Sequence, residues 1–94
     1  MVAEAQQSVE EKLKEAFDLV AESLVAVGYP ERVECAYELI DANESAIALE
    51  IVCENLHDFE CSIPIRAYDL FAEAGTYFNV ASSYWEMLKP CIVR

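Results

Sequence analysis

Residues 8–28 read SVEEKLKEAFDLVAESLVAVG. Within them Val9, Leu13, Phe17, Val20, Leu24 and Val27 recur at steps of three and four, while Glu11, Glu15, Asp18 and Glu22 fall on the other side. An α-helix completes a turn in about 3.6 residues, so this spacing gathers the apolar side chains on one face and the acids opposite. A strand would need alternation in steps of two, which is absent. Ser8, with Glu11 three residues on, matches a capping box and predicts the helix start there, with residues 1–7 frayed. Gly28, with Pro30 just beyond, predicts the end. A helix with one apolar stripe buries it against neighbours, so the rest of the chain must supply partners.

It does so with more helices. A second is expected from Pro30 or Glu31, where proline is tolerated and acids complement the helix dipole, with Val33, Ala36, Tyr37 and Ile40 as its apolar side. Asp41-Ala42-Asn43 reads as a break, Asn43 being suited to a left-handed cap or to capping the next helix. From Ser45 to Leu56 nearly every residue is apolar except Glu50, Glu54 and Asn55, which predicts a third helix central to the domain. Cys61-Ser62-Ile63-Pro64 reads as a connection. A fourth helix carries Ile65, Tyr68, Leu70, Phe71 and Ala74, with Gly75 near its end, and a short fifth runs from Val80 to Lys89 until Pro90 stops it. The expectation is an all-α compact bundle of four to five helices, residues 1–94 forming a single helical domain.

Composition agrees. Hydrophobic residues make up 55% of the 94, too many for a disordered acidic tail, and two Gly and three Pro leave little room for long loops. Eighteen acids against six Lys and Arg give a net charge of −12. Phosphate contacts need cations, so this balance argues against direct nucleic-acid binding and against an anionic membrane surface. It favours a basic protein partner. No apolar run reaches membrane-spanning length, and Met1–Ala5 is acidic and polar rather than basic then apolar, so a cytoplasmic protein with four reduced cysteines is expected.

The charge is uneven. Residues 1–30 hold six acids and two bases, residues 31–60 nine acids and one base, and residues 61–94 three of each, giving −4, −8 and 0. Glu50, Glu54 and Asp58 are spaced by four and stand along one side of the third helix, where like charges oppose helix formation slightly. That side either faces water, or pairs internally with Arg66 or Arg32, or receives Lys and Arg from a partner. Asp41, Glu44 and Glu60 are secondary candidates for the same contact.

Catalytic chemistry finds little support. His57 is the one histidine, and although Cys53 and Cys61 lie near it, no glycine-rich turn accompanies them to build an oxyanion hole. We expect no enzyme. Cys53, His57 and Cys61, four apart, are also a conceivable metal set, with Cys35 or Cys91 as fourth ligand, but free cysteines more often behave as small core hydrophobes. No cofactor is expected. Tyr77, Phe78, Tyr84 and Trp85 cluster late in the chain, either closing the core or, where exposed, anchoring a partner.

The stretch ALEIVCENL at 48–56, followed by Asp58-Phe59, Ser62-Ile63-Pro64-Ile65, Tyr68, Gly75 and Trp85-x-x-Leu88, resembles the MafI-like family of small helical immunity proteins of bacterial polymorphic toxin systems. The resemblance covers roughly residues 30–90 through short, mostly apolar motifs. It implies a protein that binds and neutralises a cognate toxin domain, frequently a nuclease. Nuclease surfaces are basic because they bind phosphates, so an acidic inhibitor fits them. Two other readings remain: a helical adaptor docking a partner through an apolar patch, and a small thiol or metal protein. The expected assembly is a monomer or weak homodimer.

Overall fold

The structure, a computed structural model, describes the backbone of residues 4–26 and 30–93 and the side chains of 4–26 and 33–93. It is all-α, and the described residues form five helices and one small sheet: α1 (Glu4–Ala26), α2 (Pro30–Asp41), α3 (Ser45–Asp58), β1 (Ile63–Pro64), α4 (Ile65–Tyr77), α5 (Ser83–Glu86), a 3-10 turn (Lys89–Cys91) and β2 (Ile92–Val93). None of the described helices is long and apolar enough to cross a membrane.

The α1 stripe is buried as its spacing requires, through Val9, Leu13, Phe17, Val20 and Leu24, with Ala16 added. The helix begins at Glu4, before the expected start, so Ser8 and Glu11 lie inside it as exposed residues and form no capping box. Residues 4–7 are helical rather than frayed, and the Gln6 amide donates to Asn43 Oδ1 at 2.6 Å across the α2–α3 turn. Gly28, the expected terminator, and Arg32, an expected internal cation, lie outside the described residues and side chains respectively.

The long first helix makes the most extensive packing, against α2, α3, α4 and β1, and the apolar third helix touches every other helix, as its composition leads one to expect. Phe17 reaches the ring of Phe71 at 6.3 Å and that of Tyr37 edge-on at 5.9 Å, tying three helices together. α3 packs against α1, α2, α4 and α5 and keeps one side outward. It buries Ala48, Leu49, Val52, Cys53 and Leu56, while Ile47, Glu54, His57 and Asp58 face outward.

Helices α2, α3 and α4 end the same way. Asn43 (φ 65°), Glu60 (φ 50°) and Asn79 (φ 60°) each take the left-handed conformation one residue past the cap. The following amide then bonds back to a carbonyl in the last turn: Glu44 to Leu39, Cys61 to Leu56 and Val80 to Gly75, at 2.7, 3.0 and 2.8 Å. Asparagine tolerates that conformation, whereas glutamate sits there under strain. Gly75 is therefore not the stop signal of α4, which runs on to Tyr77. Its missing side chain makes room for Trp85, whose Cζ3 lies 2.0 Å from where a β-carbon would stand.

Past α4 the chain is less regular than the expected helix over 80–89. Only Ser83–Glu86 is α-helical, and Pro90 sits inside the 3-10 turn, where its lack of an amide hydrogen is harmless. Ile63 then pairs with Ile92, and Pro64 with Val93, in parallel register. The second half of the expected connection, Ile63-Pro64, is thus a sheet strand, while Cys61 and Ser62 do connect. Ile63 and Leu88 are fully buried and Trp85 nearly so, which closes the core at this end.

Candidate functional site

The ion pairs show where charge is left over. Lys12 bonds Glu73 at 2.6 Å, Lys14 bonds Asp41 at 3.1 Å and Arg66 bonds Glu15 at 3.0 Å. All three join α1 to α4 or α2, so the cations gather around α1. Arg66 is thus turned away from the third helix and does not neutralise the acids expected to sit there. Lys89 makes no ion pair among the described residues.

Glu50, Glu54 and Asp58 do share the outer side of α3, Glu50 half-buried and the other two exposed. Among the described residues none of them is paired with a lysine or arginine. The nearest cation-forming group is His57, whose Nδ1 lies 3.8 Å from Asp58 Oδ1. Tyr84, on α5, borders the row. The charge of Glu50, then burial, then the charge of Glu54 push its phenol above the ordinary tyrosine value. Ile47 is 44% exposed one turn before Glu50, so the face mixes acids with an apolar residue.

At its C-terminal end the row opens into a cleft of about 450 Å³ lined by His57, Asp58, Glu60, Met87, Pro90 and Cys91. One wall is polar and acidic, the other largely apolar. Glu60 thus joins the primary three. Asp41 and Glu44 do not: Asp41 is held by Lys14, and Glu44 lies at the opposite end of α3, about 20 Å along the axis from Asp58. Tyr84 is one of the late aromatics expected to close the core or anchor a partner, whereas Met87 and Pro90 have no signal in the sequence as site residues. Their placement depends on the short α5 and the 3-10 turn, which carry no strong periodicity. Of the aromatic cluster, Trp85 closes the core and Tyr77 stays 45% exposed, stacked edge-on against Phe78 at 5.1 Å.

Cys53, His57 and Cys61 do not converge. Cys53 is fully buried in the core, and burial first and the Glu54 charge second push its thiol far up. His57 points to solvent, and Cys61 is buried beyond the helix end. Four residues on a helix is a rotation of about 40°, enough to separate a core position from a surface one. Among the described residues no group of three His, Cys, Asp or Glu is placed to hold a metal ion, which removes the geometric basis of the metal reading.

No family model, curated protein or solved structure matches the chain.

Proposed function

We propose that this chain is a binding protein that neutralises a basic protein partner through the outer side of α3, as an immunity protein does for its cognate toxin domain. One observation carries the reading: among the described residues the ion pairs of lysine and arginine are all made by acids elsewhere, and Glu50, Glu54 and Asp58 have no such partner on the outer side of α3. Acids at that spacing oppose helix formation slightly and contribute nothing to the core, so a folding argument gives no reason for them. A partner supplying lysine and arginine gives one. The resemblance to MafI-like immunity proteins points the same way, and a nuclease domain would present the required basic surface. Inhibition is then exclusion of substrate, with long-range attraction speeding encounter. In this reading the protein acts in the cytoplasm, touches no nucleic acid itself and needs no cofactor.

The test uses the triple variant Glu50→Lys, Glu54→Lys, Asp58→Lys with a basic toxin domain from the neighbouring reading frame. At low salt the association rate should fall by at least about tenfold, and the difference should shrink as salt rises. A folded triple variant that binds and protects as the wild type does overturns the assignment. The competing adaptor reading draws on exposed Ile47 and predicts binding that hardly responds to salt but is lost in Ile47→Asp.

A further inference from the structure

The cleft at the end of α3 has two unlike walls. His57, Asp58 and Glu60 form one, all three exposed. Met87, Pro90 and Cys91, from the chain after α4, form the other, with Met87 half-buried against the core. The volume of about 450 Å³ lies within the range of ligand pockets, about 300–1,000 Å³. The charge on the first wall has the wrong sign for the fold. A helix carries roughly half a negative elementary charge at its C-terminus, which favours a cation there. α3 instead places Asp58 in its last position and Glu60 two residues on, with His57 as the one base of that turn. Among the described residues no lysine or arginine pairs with Asp58 or Glu60, not even Lys89, which stands between Met87 and Pro90 in the chain.

The apolar wall decides which cation fits. A lysine ammonium is compact and strongly hydrated, whereas a guanidinium is planar, weakly hydrated and able to grip carboxylates through two parallel hydrogen bonds. The arginine stem also lies along apolar surface while its head stays with the charges. We infer that the cleft seats one arginine side chain of the protein partner, its stem against Met87 and Pro90 and its guanidinium at Asp58 and Glu60. This rests on the reading of the outer side of α3 as the face that meets a basic protein, and it adds the residue that anchors the contact. Arginine is among the side chains that most often dominate the binding energy of an interface. Glu50 and Glu54 lie outside the cleft and act on encounter at range, while the seated arginine slows departure.

His57 is the one histidine and Met87 one of two methionines, so each wall carries its own reporter for nuclear magnetic resonance. The whole protein is titrated at low ionic strength with the capped peptide acetyl-Gly-Arg-Gly-amide and with its lysine and citrulline counterparts. The arginine peptide should move the His57 ring proton and the Met87 methyl group together along one saturable curve. It should bind at least about threefold tighter than the lysine peptide, and the uncharged citrulline peptide should leave both signals in place. Asp58→Asn with Glu60→Gln should weaken the arginine peptide at least about fivefold. That double variant should melt no lower than the wild type, because it removes like charges from a negative helix end. Equal binding of the arginine and lysine peptides, a His57 shift without a Met87 shift, or undiminished binding by the double variant overturns the inference. So does a lower melting temperature of the double variant, which gives the two acids a role in the fold instead. A toxin domain that fails to bind the Glu50, Glu54, Asp58 triple variant, together with an arginine peptide that fails here, removes the cleft and leaves the acidic face. A toxin domain that binds the triple variant as it binds the wild type removes both.

Discussion

Replacing Gly75 by alanine sets two effects of known size against each other. Alanine is the better helix former by about 1 kcal/mol, so in an open helix Gly75→Ala would stabilise. Gly75 is buried in α4, however, and a β-carbon there would lie 2.0, 2.6 and 2.7 Å from Cζ3, Cε3 and Cη2 of Trp85. Carbon atoms pack at about 3.5 Å or more, so the indole must withdraw by about 1.5 Å. Three ring atoms clash at once, which places the cost near the upper end of the overpacking range, about 3 kcal/mol. The net loss is about 2 kcal/mol, or a melting temperature lower by about 8–16 °C for a domain of this size. Trp85 is the one tryptophan and is 7% exposed, so its fluorescence reports the displacement directly as a red shift. In a Trp85→Leu background the clash is gone, and Gly75→Ala should then be neutral or stabilising. A single variant as stable as the wild type with unchanged emission would refute the packing argument.

Glu60→Gly should raise stability by about 0.5–1 kcal/mol in chemical denaturation, because glycine relieves the left-handed strain at φ 50° while losing some of the gain to unfolded-chain freedom. Asn43→Gly and Asn79→Gly should shift it far less, since asparagine already accepts that conformation. If Glu60 also contacts the partner, the stabilised variant binds more weakly, and binding assays show the two effects separately. Tyr84 should titrate above the ordinary tyrosine value, and Glu50→Gln with Glu54→Gln should bring it down, read as tyrosinate absorbance against Tyr84→Phe. The raised value belongs to the folded state, so the stability Tyr84 contributes is full below about pH 10 and is lost as pH rises through the folded value. An alkaline titration that is identical in the double variant would place the acids away from the phenol.

What could be read in advance depended on periodicity. The α1 stripe, the α2 face and the Asn43 turn were legible because each rests on local spacing or on one residue's backbone preference. The run from 45 to 56 reads as a helix that contacts every other helix, while composition does not say that Glu54, His57 and Asp58 keep one of its sides exposed. Gly75 misled for a related reason. Glycine near a helix end usually terminates it, yet here the left-handed residue just past the cap is Asn79 and the glycine answers to a tryptophan ten positions on. The Ile63–Ile92 pairing is non-local and only two residues long, so no sequence window contains it. The same non-locality hid part of the candidate site: the acids of α3 and the aromatic character of Tyr84 were visible, while the approach of Tyr84, Met87 and Pro90 to those acids depends on tertiary packing.

The seat that Gly75 offers to Trp85 has a consequence for how the chain is made. A ribosome releases α1 to α4 before the segment that bears Trp85, Leu88 and Ile92. Until that segment follows, the Gly75 surface of α4 and one side of Ile63 have no cover. Translation adds roughly 5–20 residues per second, so the segment after α4 takes about one to four seconds to synthesise. During that interval the nascent helices resemble a receptor without its ligand, and the late segment acts as an intramolecular ligand that docks last. A slow codon stretch there, or a chaperone that favours exposed aliphatic seams, would act on this species and not on the finished fold.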